Sequence, residues 1–272
     1  APCELRAVRV QDPDTEVVLD FAESIALPEL RLAPRAASRS RTVSAAMLAA
    51  PVLAAPPELA SLPGPALMLV HGYCSSGSIW PAADFSQPKL EFLDPNANRS
   101  HDQFAQLLAQ HALQANLASF GVVAHSQGGC AALHLRTYYA SPLDHSTGAR
   151  RIQALATPFQ GTPLASLGFF ACGTNANMTP AGAATWLAGI PSWARAEVFT
   201  FTTANSGSAC NFFSGLLLAD PEDGTVEKAR GELPGGNNLG HTLGWCHTTG
   251  MSNPASYTDH ARNQALDAAA AR

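Results

Sequence analysis

The sequence predicts an α/β fold with a mostly parallel central sheet flanked by helices. Short apolar runs, typical of strands buried on both faces, occur at Ala66–Val70 and Phe120–Ala124, and we expect Arg151–Ala156 to form the next strand. Helical spacing of apolar residues is clearest in His101–Gln114, between two of these runs. Because strands that alternate with helices usually pair in parallel, these observations indicate one large α/β domain.

The N-terminal part of the chain predicts a different kind of structure. Leu5–Val10 and Val17–Phe21 alternate partly at period two, and we expect them to form an antiparallel hairpin at a sheet edge. Residues 33–64 are rich in Ala, Pro and Ser and predict a surface crossing or a partial linker. We therefore expect an N-terminal extension, residues 1–64, packed on a main domain of residues 65–272.

The main domain contains further elements and one long insertion. We expect a helix to start within Ile79–Phe85, strands at Lys89–Leu93 and Glu197–Thr202, and helices at Cys130–Tyr139 and Thr258–Ala271. Residues 164–195 are longer than a connection between a strand and a helix requires. They are either a lid over the site or additional core packing.

The strand–turn–helix around Ser126 is the feature that carries chemistry. An apolar run leads directly into this serine, and a helical stretch follows it. A turn this tight needs small residues two positions before and after the serine, and Ala124 and Gly128 occupy those positions. The N-terminus of the following helix favours negative charge that develops near the serine oxygen. Ser126 is therefore the candidate nucleophile.

A serine nucleophile requires a histidine base and a carboxylate, which follow it along the chain in the order acid, then histidine. For the base we choose His247, in a loop between the last strand and the final helix, with His241 as the alternative. We expect His134, His145 and His260 to be structural.

Three carboxylates are candidates for the acid, and they lie in the segment 219–226. Asp223 precedes a glycine and then a β-branched residue two positions later, which makes it our choice, and Asp220 is the alternative. For the oxyanion we expect two backbone N–H donors, from Gln127 after the nucleophile and from Tyr73 after the strand that ends at His71-Gly72. We expect His71 to order this loop.

The cysteines and the overall charge indicate the compartment and the class of partner. Six cysteines without metal-type spacing favour disulfides and secretion to an extracellular or periplasmic space, and we expect Cys74 to pair with Cys130. The net charge of −5 gives no reason to expect a nucleic-acid partner. The apolar run at 45–62 is interrupted by prolines, so we expect no transmembrane segment. We expect no cofactor and no bound metal, and a monomer.

Taken together, the motifs of the main domain resemble secreted bacterial lipases of the α/β-hydrolase fold. The matching segments are His71–Tyr73, Ala124–Gly128, Thr157–Pro163 and Asp223-Gly224. The resemblance implies hydrolysis of carboxylic esters through an acyl-enzyme on Ser126. The substrates would be small-molecule, lipid or polymeric esters, with transient contact at a lipid interface.

Other readings of the same residues exist. An acyltransferase or a peptidase would use the same serine, histidine and carboxylate. From a different class, the chain would be a non-catalytic extracellular binding or signalling protein on a hydrolase scaffold, since a fold does not determine a function. The presence of all three candidate groups in the right order favours catalysis.

Overall fold

The structure is a computed structural model of the 272-residue chain. It describes residues 4–5, 9–11, 18–20, 25–26, 64–75, 78–86, 88–94, 96, 98–166, 172–204, 217–243, 246–247 and 259–272. The Ala/Pro-rich stretch up to residue 63, the start of the expected final helix at Thr258 and residues 167–171 of the insertion lie outside these ranges. The chain divides into two compact units, Ala1–Ala49 and Ala50–Arg272.

Within its described residues, the first unit contains four short strands. They are β1 (Glu4–Leu5), β2 (Arg9–Gln11), β3 (Val18–Asp20) and β4 (Ile25–Ala26). Strand β2 pairs with β3 antiparallel, with Val10 opposite Leu19, which confirms the expected hairpin. Among the described residues, the hairpin forms its own two-stranded sheet and β1 pairs with β4 in another. The packing of residues 1–64 on the main domain stays a prediction.

The second unit is built on a six-stranded sheet, as its described residues show. The strands are β5 (Pro65–Val70), β6 (Lys89–Phe92), β7 (Ser119–His125), β8 (Ile152–Leu155), β9 (Val198–Ala204) and β10 (Asn237–Leu243). Their order across the sheet is β10-β9-β8-β7-β5-β6, and every neighbouring pair is parallel. The α/β class and the flanking helices are thereby confirmed.

The helices of this unit connect and cover the strands. Within the described ranges they are α1 (His101–Gln114), α2 (Gln127–Tyr138), α3 (Pro163–Ser166), α4 (Pro180–Gly189), α5 (Ser192–Arg195), α6 (Lys228–Gly231) and α7 (His260–Ala269). Helix α1 begins where the sequence predicts because Ser100 and Gln103 form a capping box: each side chain accepts a hydrogen bond from the other residue's backbone N–H. The expected helix at Ile79–Phe85 is reduced to one 3₁₀ turn, Ala82–Asp84, which follows Pro81.

An apolar cluster packs the central strands together, and their common direction places their carboxyl ends at one edge of the sheet. Leu67 and Leu69 of β5, Val123 of β7 and Leu155 of β8 are at most 1% exposed and belong to one apolar cluster. Since all six strands run in the same direction, the residues that follow β5, β7, β8 and β9 emerge on one edge of the sheet. That edge carries the candidate site.

Candidate active site

Ser126 lies in a strained turn between β7 and α2. Its backbone has φ 52° and ψ −132°, in the left-handed half of conformational space that non-glycine residues rarely occupy. A Cβ on Gly128 would lie 2.4 Å from the His71 carbonyl oxygen, and one on Gly72 would lie 2.5 Å from the Ser126 Cβ. The turn therefore packs so tightly against the end of β5 that both neighbouring positions require glycine.

Three residues predicted from the sequence form one hydrogen-bonded chain. His247 Nε2 lies 2.9 Å from Ser126 Oγ, and His247 Nδ1 lies 3.0 Å from Asp223 Oδ2. A carboxylate only accepts hydrogen bonds, so Nδ1 carries the proton when the imidazole is neutral and Nε2 is left as an acceptor for the serine hydroxyl. This is the tautomer that a general base needs.

The carboxylate of Asp223 is buried and held in one orientation. Its side chain is 1% exposed, and Oδ1 accepts hydrogen bonds from the backbone N–H groups of Thr225 (3.0 Å) and Val226 (2.7 Å). Oδ2 accepts a third from the Thr203 hydroxyl, 2.8 Å away. The other candidate, Asp220, is exposed, and the structure does not bring it to Ser126 and His247.

The backbone of His247 is fixed on both sides. Its N–H donates to the Asp223 carbonyl at 2.6 Å, and its carbonyl accepts from His125 Nε2 at 3.0 Å. Burial lowers the pKa of His125 well below its usual range, and the neighbouring His247 acts in the same direction. A neutral His125 therefore joins the backbone of His247 to the end of β7, directly before Ser126.

The loop after β5, which contains Tyr73, is ordered by His71. The Asp94 N–H donates to His71 Nε2 at 3.0 Å, so the ring proton is on Nδ1, which donates to the Gly72 carbonyl at 2.8 Å. Burial lowers the pKa of His71, against the opposing effects of the Gly72 hydrogen bond and the Asp94 charge. The bond to the Gly72 carbonyl orients the same peptide group that carries the Tyr73 N–H.

Gln127, the first residue of α2, has two separate groups near the turn. Its backbone N–H belongs to the first turn of the helix and has no acceptor inside the helix. Its buried side chain amide donates to the Arg99 carbonyl at 2.7 Å and lies 3.2 Å from His101 Nδ1. The side chain thus anchors the N-terminus of α2 to the segment that leads into α1.

The other histidines considered from the sequence have partners elsewhere. His241 lies in β10, where its Nδ1 is 2.8 Å from the Thr202 hydroxyl. His134 bonds to Asp102, and His260 bonds to Asp84. His145 is exposed at the end of a 3₁₀ turn. The structure brings none of these four to Ser126.

The disulfide predicted from the sequence is wrong in its partner. Cys74 is bonded to Cys172, and Cys130 is a free, buried thiol. Cys130 lies in the first turn of α2, where its Sγ is directed to the Pro158 carbonyl and not to the Tyr73 loop. Cys246, next to His247, is also disulfide-bonded.

Sequence reasoning missed several residues that support this site. Thr203 follows the expected strand Glu197–Thr202 directly, and a hydroxyl at the carboxyl end of a parallel strand was the available signal. His125 precedes the serine and was visible only as part of the motif.

In the part of the chain that the structure describes, no group of His, Cys, Asp and Glu could hold a metal ion. Within those same ranges, no helix is long and apolar enough to cross a membrane.

Comparison with known protein families finds one that matches most of this chain. A family model described as the conditioned medium factor C-terminal domain matches residues 63–270. The conditioned medium factor of Dictyostelium discoideum is 43% identical over 213 residues, which cover 74% of this chain and 30% of that protein. The chain thus spans about 30% of this relative's length.

Comparison with solved structures finds similar folds. A lipase of Bacillus licheniformis in its mature form gives a TM-score of 0.51 at 17% identity, over 71% of this chain and 89% of that one. A phospholipase of Legionella pneumophila gives 0.50 at 12% identity, over 74% of this chain and 58% of that one. At such low identity these similarities show the fold alone. The expected α/β-hydrolase fold is thereby confirmed.

Proposed function

The chain belongs to the conditioned medium factor C-terminal domain family, and from its hydrogen-bonded Ser126–His247–Asp223 chain we propose that it is a serine carboxylic-ester hydrolase. The observation that carries the proposal is the geometry of His247, whose two ring nitrogens lie 2.9 Å from the serine oxygen and 3.0 Å from a buried carboxylate. That arrangement activates a hydroxyl for attack on a carbonyl.

The proposed reaction has two halves. In the first, Ser126 Oγ attacks the ester carbonyl while His247 Nε2 takes the hydroxyl proton, and the proton then passes to the leaving alcohol as the C–O bond breaks. In the second, His247 takes a proton from water, the resulting hydroxide attacks the acyl-enzyme, and Ser126 regains its proton. Asp223 stays ionised and stabilises the imidazolium formed in each half.

The oxyanion of both tetrahedral intermediates needs donors that are already in place. We assign this role to the backbone N–H groups of Tyr73 and Gln127. The anchoring of their neighbours supports the assignment, because His71 orients the Gly72–Tyr73 peptide and the Gln127 side chain holds the start of α2. Apolar esters, including lipids and polyesters, are the proposed substrates. The expectation that residues 164–195 form either a lid or additional core packing stays a prediction.

The disulfides support an oxidising, extracellular or periplasmic location. Cys74 and Cys172 form a disulfide, and Cys246 takes part in another. Disulfides persist in oxidising compartments and are rare in the cytosol.

The first experiment compares the intact protein with Ser126→Ala on p-nitrophenyl butyrate and p-nitrophenyl palmitate. We expect kcat to fall by about 10⁴-fold or more in the variant, whereas Ser192→Ala, at an exposed serine, keeps full activity. His247→Ala should lose activity and His241→Ala should retain it. If Ser126→Ala is as active as the parent, the proposed nucleophile is wrong.

A second candidate function is that of a binding protein without catalysis, and the name of the Dictyostelium relative, conditioned medium factor, favours it. The ester assay separates the two. Absence of ester cleavage by the parent on both substrates would favour the binding role, whereas cleavage that depends on Ser126 would favour the enzyme.

A further inference from the structure

The segment Cys172–Asn175 contacts residues next to both proposed oxyanion donors, Tyr73 and Gln127. On one side, Cys172 is covalently bonded to Cys74, the residue after Tyr73, and the Tyr73 hydroxyl donates to the Gly173 carbonyl. On the other side, the buried Asn175 donates from Nδ2 to the Arg99 carbonyl at 2.7 Å. The same carbonyl accepts from the Gln127 side chain, also at 2.7 Å.

Asn98 locks this segment in place. Its Nδ2 donates to the carbonyls of Cys172 (3.0 Å) and Thr174 (3.1 Å), and its Oδ1 accepts from Asn175 Nδ2 at 3.1 Å. Asn98 therefore accepts one hydrogen bond from the segment and donates two to its backbone carbonyls. We call Cys172–Asn175 together with Asn98 the brace.

The backbone of Cys74 explains why the Tyr73 loop needs such a brace. Cys74 has φ 58°, a left-handed conformation that is unfavourable for a residue with a Cβ and persists only where the surroundings impose it. The disulfide to Cys172 imposes it from one side. From the other side, His71 orients the Gly72–Tyr73 peptide through the Gly72 carbonyl. The Tyr73 N–H lies between these two restraints.

We propose that the brace positions the two backbone N–H donors of the oxyanion hole, with Cys74, Cys172, Asn98 and the Tyr73 hydroxyl as positioning groups. This proposal rests on the proposed ester hydrolase function. It assigns the disulfide a role in the transition state beyond stabilising the fold, because donors aimed at a developing oxyanion act only when they are held at hydrogen-bond distance. Loss of the brace should therefore lower kcat and leave substrate binding nearly intact.

Three variants of the full chain test the brace: Cys74→Ser/Cys172→Ser, Asn98→Ala and Tyr73→Phe. The double serine variant leaves the disulfide of Cys246 untouched, and the other two keep the Cys74–Cys172 bond. The control is Thr179→Ala, which removes the cap of α4 just beyond the brace, where Thr179 Oγ1 accepts from the Gly182 N–H at 3.0 Å.

The readouts are kcat and KM for p-nitrophenyl butyrate, the inhibition constant of butylboronic acid and the melting temperature. Butylboronic acid forms a tetrahedral anion on the serine, so its affinity reports on the oxyanion hole. We expect each brace variant to lose about tenfold in kcat, with the double variant losing most. KM should stay within about twofold, and the boronate should bind more weakly by the same factor as kcat. Thr179→Ala should lower the melting temperature and leave kcat and boronate affinity unchanged.

The outcomes separate the two proposals. If the parent shows ester cleavage that depends on Ser126 and the folded brace variants keep parental kcat and boronate affinity, the brace is only structural and this inference is overturned. If the double variant does not fold, Asn98→Ala and Tyr73→Phe decide in its place. If the parent cleaves no ester, the proposed function fails and the brace proposal fails with it.

Discussion

At the scale of single residues, the site depends on how one buried carboxylate is held. Asp223 accepts hydrogen bonds from two backbone N–H groups and from the Thr203 hydroxyl while its Oδ2 faces His247. A buried charge needs such partners, since an uncompensated carboxylate would be strongly destabilised. The exposed Asp220 lacks this environment, which explains why one of two neighbouring aspartates is suited to orient a base.

Removal of the Thr203 hydroxyl should weaken the hold on Asp223. In Thr203→Val the side chain keeps its shape but leaves Oδ2 with one donor fewer, which we expect to lower kcat by about tenfold, since hydrogen bonds to charged groups contribute about 1.5–3 kcal/mol. The measurement is the rate of p-nitrophenyl butyrate hydrolysis. Thr202→Val is the matched control, because Thr202 is also a buried threonine of β9 but bonds to His241. Equal rates in the two variants would contradict this role of Thr203.

At the scale of elements, the turn between β7 and α2 is set by close approach of backbone groups. Gly128 faces the carbonyl of His71, and Gly129 faces Thr157, whose Oγ1 would lie 2.3 Å from a Cβ at that position. Helix α2 can therefore sit over the ends of β5 and β8 only because its first turn has two residues without side chains. The sequence pattern revealed the first of these requirements, and the contacts reveal the second.

A methyl group at Gly128 should damage both the fold and the site. In Gly128→Ala the Cβ would lie 2.4 Å from the His71 carbonyl oxygen and 2.8 Å from Val70 Cγ1, so helix and strand must separate. We expect a loss of about 3 kcal/mol in the free energy of unfolding in urea, together with a fall in kcat, since His71 orders the Tyr73 loop.

The control for this substitution is Gly240→Ala in β10. Its Cβ would lie 3.4 Å from Phe201 Cδ1, an ordinary contact, and the free energy of unfolding should change by at most about 0.5 kcal/mol. If the two variants are equally stable, the close packing at Gly128 is not essential.

At the scale of the whole molecule, several imidazoles are buried in the neutral form. Burial lowers the pKa of His71, His101, His111 and His125, and that of His101 falls from 6.5 to about 3. In the unfolded chain these groups take up protons below pH 6.5, whereas the folded chain leaves them neutral. The unfolded state then binds more protons, so the folded state loses stability as the pH falls.

His101 offers a direct test of this acid sensitivity. Between pH 7 and pH 5 its depressed pKa should cost the parent about 2 kcal/mol of folding free energy. In His101→Phe this pH-dependent loss of stability disappears, while an aromatic ring remains beside Trp186. In the parent, the ring centroids of His101 and Trp186 lie 4.8 Å apart. Urea unfolding at the two pH values measures the difference. An equal loss of stability in parent and variant would show that His101 becomes protonated in the folded state.

Local patterns in the sequence determined much of this protein. The positions of β5, β7, β8 and α1 follow from apolar runs and from a capping box, since burial and capping act over a few neighbouring residues. The strained serine turn is likewise a local feature, because the small residues that it needs lie within two positions of Ser126.

Only the tertiary structure decided what depends on distant parts of the chain. It paired Cys74 with Cys172 across 98 residues, placed His247 rather than His241 beside Ser126, and brought Thr203 to Asp223. The physical reason is that the order of the strands in the sheet decides which strand ends are neighbours, and so which side chains meet. Local sequence patterns predict the strands but not their order. The candidate nucleophile could therefore be predicted from a short segment, whereas the groups that contact its partners were known only from the tertiary structure.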